Sequence, residues 1–141
     1  MSVPVIVYVL TALAAVVVVL TRLRLRSDAA AGNLVIARGP VAVHTVAGTL
    51  ALLVWVPFLV AGERLDENAA TLLGLAGLVC WWVTVLAGLL ILLRWLPARG
   101  RHAAAGSSDT WSEGPALSVL AHVGLLVGVV YFTYAYLVSA V

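Results

Sequence analysis

Three histidines, His44, His102 and His122, are the side chains of this chain best suited to chemistry. His44 and His122 stand inside long apolar stretches, whereas His102 lies among small and polar residues and is the poorer candidate. An ionisable group within a membrane stretch is a functional hypothesis by default, because hydrocarbon penalises it. Neutral imidazole is a good iron ligand, so His44 and His122 on facing helices could bind the two axial positions of one haem b. Arg38 and Arg94 flank those stretches and could pair with haem propionates, with Arg99 and Arg101 close by. Gly48 and Gly124 would leave room for a flat macrocycle. The competing reading is structural: a membrane histidine bonds a hydroxyl or carbonyl on a neighbouring helix, for about 0.6 kcal/mol and at most about 1.7. Two imidazoles are too few for a closed zinc site.

Other constellations are weaker. Ser118 and His122 are one helical turn apart, but no third group orients the histidine as a nucleophile's base requires. Trp81 and Trp82 sit near the middle of an apolar stretch, where an indole loses its preferred interfacial place and its N–H needs a partner. They either fill a gap between helices or line a cofactor or quinone pocket. The single cysteine, Cys80, excludes an intrachain disulfide, a CxxC pair and a cysteine-ligated cluster.

These side chains must be positioned by membrane helices. Of 141 residues, 64% are hydrophobic and 10% charged, with a mean hydropathy of +1.14, against roughly 45–50% and about 25% in soluble domains. One globular core of this size cannot hide so much apolar surface. A soluble enzyme, a disordered regulator and a nucleic-acid reader are excluded, and no nucleic-acid partner is expected. All eight basic residues are arginine, and Ala, Val, Leu and Gly abound; such preferences follow GC-rich codons and suggest a bacterial source.

A crossing takes about 20 apolar residues, and four stretches qualify: residues 3–21, 41–61, 69–93 and 116–138. None contains Asp, Glu, Arg or Lys. The expected fold is all-α, a single multi-pass four-helix bundle over residues 1–141. The first stretch carries its arginines after the apolar run, at Arg22, Arg24 and Arg26, so it reads as a retained span rather than a signal peptide. The connections 22–40 and 94–115 hold seven of the eight arginines, and 62–68 holds only Arg64. Arginine-rich loops stay cytoplasmic, so both ends of the chain are expected on the outer side of an inner (cytoplasmic) membrane. Tyr8, Trp55, Phe58, Tyr131, Phe132, Tyr134 and Tyr136 then form an outer aromatic belt, with Trp95 and Trp111 on the inner side.

Small residues allow close helix approach in lipid. Gly124 and Gly128 form a GxxxG pair, and Gly77, Thr84 and Gly88 form a stripe, with Cys80 one turn from Gly77. Pro57 marks a bend near the end of its span. The long connections read as mobile, with Leu34–Ala37 at the interface and Asp109 or Ser112 capping a turn before Pro115. Arg38-Gly39-Pro40 and Glu113-Gly114-Pro115 echo each other, with a histidine four and seven residues beyond each proline. Measured from the helix starts, the two histidines differ in depth by roughly 4–5 Å, within one leaflet.

Three functions compete. The leading one is a non-catalytic accessory or assembly subunit of a larger membrane complex, respiratory or otherwise, with lipid, other subunits or a second copy as partners. The alternative is a haem b electron-transfer protein, a layout shared in general terms with membrane cytochromes b. The third is a small transporter or channel, disfavoured because the spans carry no central carboxylate.

Overall fold

The structure, a computed structural model, describes residues 1–25, 38–98 and 116–141. Four helices account for nearly all of it: α1 Val3–Leu25, α2 Arg38–Ala61, α3 Glu67–Ala98 and α4 Ala116–Leu137. Among the described residues there is no strand. The helices fall on the expected stretches: α1, α2 and α3 overrun them by a few residues and α4 ends one residue short. The segment Leu34–Ala37 expected at the interface, the expected caps Asp109 and Ser112, and His102 and Trp111 lie outside the described residues.

Local chemistry sets the ends. Pro4 sits in the first turn of α1, where its missing N–H costs nothing. Between α2 and α3 the chain makes a 3-10 turn, Gly62–Arg64, closed by Leu65 N–H on the Gly62 carbonyl at 3.1 Å. Asp66 then caps α3, its Oδ1 accepting from Ala69 N–H at 3.0 Å. At the end of α4, Ala140 N–H bonds the Ala135 carbonyl (2.9 Å) and Ser139 N–H that of Tyr136 (3.0 Å), with Ser139 at φ 51°. This is a Schellman closure using serine where glycine is usual.

Three of the helices are long and apolar enough to cross a membrane, over Gly39–Arg64, Glu67–Leu93 and Val119–Leu137. The apolar run of α1, Val3–Val19, is shorter. This is a helical membrane protein by length and composition, with Leu and Val exposed on every helix where lipid would lie.

Around the bundle the order is α1, α2, α3, α4 and back to α1, leaving α2 and α4 on one diagonal. The most extensive contact is between α2 and α3. It is an antiparallel ladder: Phe58 faces Gly74, Trp55 faces Gly77, and Gly48 faces Thr84, while His44 reaches Gly88. Diagonal α2 and α4 run parallel, with ring pairs Phe58–Tyr136, Trp55–Phe132 and His44–His122 in near-constant register. Tyr8 Oη donates to the Leu59 carbonyl (2.7 Å) and Tyr136 Oη to that of Thr71 (3.0 Å). Both ends of the chain and the Gly62–Arg64 turn therefore share one end of the bundle.

That end holds the core. Trp55, Phe132 and Trp81 are at most 1% exposed and pack as a tilted aromatic cluster, with Trp55–Phe132 centroids 5.4 Å apart and Trp81–Phe132 5.7 Å. This corrects the aromatic belt: Trp55, Phe58 and Phe132 face inward, whereas Tyr8 and Tyr134 are exposed as a belt requires. The physical reason is room, because Gly74 and Gly77 on α3 carry no side chain and the rings of Phe58 and Trp55 fill the space.

Candidate functional site

The other end of the bundle holds the two intramembrane histidines. His44 projects from α2 and its Nδ1 lies 2.9 Å from the Thr84 carbonyl oxygen of α3. A carbonyl only accepts, so Nδ1 carries the hydrogen and the Nε2 lone pair faces away from that bond. Two features hold Thr84 in place. Its hydroxyl donates to the Cys80 carbonyl at 2.7 Å, and its methyl packs where a Cβ on Gly48 would stand, at 3.3 Å. Gly48 lies one turn beyond His44, so its missing side chain lets α3 come close enough for the imidazole to reach the carbonyl.

His122 comes from α4, across the diagonal. The two imidazole centroids are 6.0 Å apart and the ring planes are 24° from parallel. Both rings rest on Gly88 of α3. A Cβ there would stand 2.8 Å from His122 Cδ2, 3.1 Å from His122 Nε2 and 2.9 Å from His44 Cε1. Real Cβ contacts are not that short, so glycine is the residue this approach requires. Both histidines therefore lie at the same end of the bundle, beside one residue of α3. The ring pairs Trp55–Phe132 and Phe58–Tyr136 continue the same register toward the opposite end.

Axial imidazoles lie on opposite faces of a macrocycle. The two rings meet beside Gly88, where a Cβ would stand within 3 Å of both, so α3 runs close to them. Thr84 packs where a Cβ on Gly48 would stand, whereas a Cβ on Gly124 would meet nothing within 4 Å. The side chains of Arg38, Arg94 and Ser118 lie outside the described residues.

The tryptophan pair divides. Trp81 is buried between helices against Phe132. Trp82 is half-buried and its Nε1 donates to Thr133 Oγ1 at 3.1 Å, whose hydroxyl donates onward to the Val129 carbonyl at 2.8 Å. Among buried side-chain atoms, Thr11 Oγ1, Trp55 Nε1 and Trp81 Nε1 have no hydrogen-bond partner. Among the described residues no group of three or more His, Cys, Asp or Glu could hold a metal ion.

Sequence reasoning identified the two imidazoles but missed what supports them, Gly88 as their bed and the Thr84 carbonyl as an anchor. The available signal was the Gly77, Thr84 and Gly88 stripe, whose spacing is compatible with packing against any neighbour. The chain matches no protein-family model, no curated protein and no solved structure.

Proposed function

We propose that this chain crosses the inner membrane four times, with both ends outward and the connections 22–40 and 94–115 inside, as a non-catalytic accessory or assembly subunit of a larger membrane complex. Its partner is a transmembrane helix of another subunit, seated on α4. One observation carries this reading: among the described residues, nothing packs on the glycines of α4. On α3, Gly74, Gly77 and Gly88 are each covered by rings from other helices. On α4, a Cβ at Gly124 or Gly128 would meet nothing within 4 Å. Helices in lipid associate through close packing at small residues, since lipid tails are as apolar as leucine. A GxxxG notch left open by its own bundle suits a helix from outside.

A haem-based electron carrier is the second reading, supported by the two imidazoles meeting across the bundle with centroids 6.0 Å apart. A transporter would need a charged group at mid-depth, and the four spans hold no Asp, Glu, Arg or Lys.

The test is purification in mild detergent with native mass measurement, comparing wild type with Gly124→Leu and Gly128→Leu. The expected result is a stoichiometric complex with another membrane subunit, lost in both variants while helicity and unfolding temperature stay unchanged. A wild-type chain that runs alone, or a complex that survives both substitutions, overturns the proposal. A homodimer lost in both would replace the partner subunit with a second copy.

A further inference from the structure

We draw no further inference here: the strongest candidate, the cluster of buried donors Thr11 Oγ1, Trp55 Nε1 and Trp81 Nε1 around the aromatic core, carries nothing because no contact among the described residues brings those atoms to one point.

Discussion

At Gly88 a single hydrogen atom decides whether two imidazoles can meet. Adding a methyl group places carbon within 2.8 Å of one ring and 2.9 Å of the other, and both are ring edges that cannot bend away. Gly88→Ala is therefore expected to destabilise the bundle by about 1–3 kcal/mol, the usual range for overpacking. Gly124→Ala meets nothing within 4 Å and should stay within about 0.5 kcal/mol of wild type as an isolated chain. Reversible unfolding in detergent compares the two directly; equal effects would mean that the rings do not rest on Gly88. The sequence shows twelve glycines and their helical spacing, but not which are covered. Coverage depends on the rotation of each helix about its own axis, and these helices are apolar all round. The two histidines stood out because they are ionisable, whereas the glycine beneath them has no chemistry to draw notice.

Among the elements, α2 and α3 form the framework on which the others pack. Their ladder of ring-against-glycine contacts explains why Trp55 is buried at a depth where an interfacial tryptophan was expected. The helix boundaries and the placing of the two histidines toward one end of the bundle were legible, because both follow from counting residues along a helix of fixed rise. The inward turn of Trp55 and Phe132 was not, since periodicity cannot separate a lipid-facing ring from a core ring in a uniformly apolar helix. The two mid-membrane tryptophans on α3 now make different predictions. Trp81 buries an indole N–H without a partner, so Trp81→Phe removes an unpaired donor along with some packing. It should cost under about 1.5 kcal/mol, whereas Trp81→Ala should cost about 3–5. Trp82→Phe instead loses the bond to Thr133, worth about 0.6 kcal/mol on average in membrane bundles. Thermal unfolding of the three variants measures these differences, and a Trp81→Phe penalty matching that of Trp81→Ala would show that its N–H has found an acceptor.

For the whole molecule, orientation can be read without further structure. The two ends of the chain and the Gly62–Arg64 turn share one end of the bundle, and the proposed topology, drawn from the arginine count, puts that end outside. In a Cys80→Ser background, Ser2→Cys, Glu63→Cys and Ser139→Cys should react with a membrane-impermeant maleimide in intact cells. Ser107→Cys should react only after permeabilisation. Labelling of Ser2→Cys on the opposite side from Glu63→Cys would remove α1 as a crossing, and labelling of Ser107→Cys alone would invert the protein.

The ring order of the helices carries a consequence for biogenesis. α1 leaves the ribosome before its neighbours, yet it packs on α2 and α4 rather than on the α3 that separates them. Its inward residues, Val7 and Thr11, gain their full cover only after α4 has been translated. Until then the α2–α3 hairpin can assemble alone, and α1 must wait beside it in the bilayer. Truncation before α4 should therefore expose α1 to quality-control proteases while sparing the hairpin.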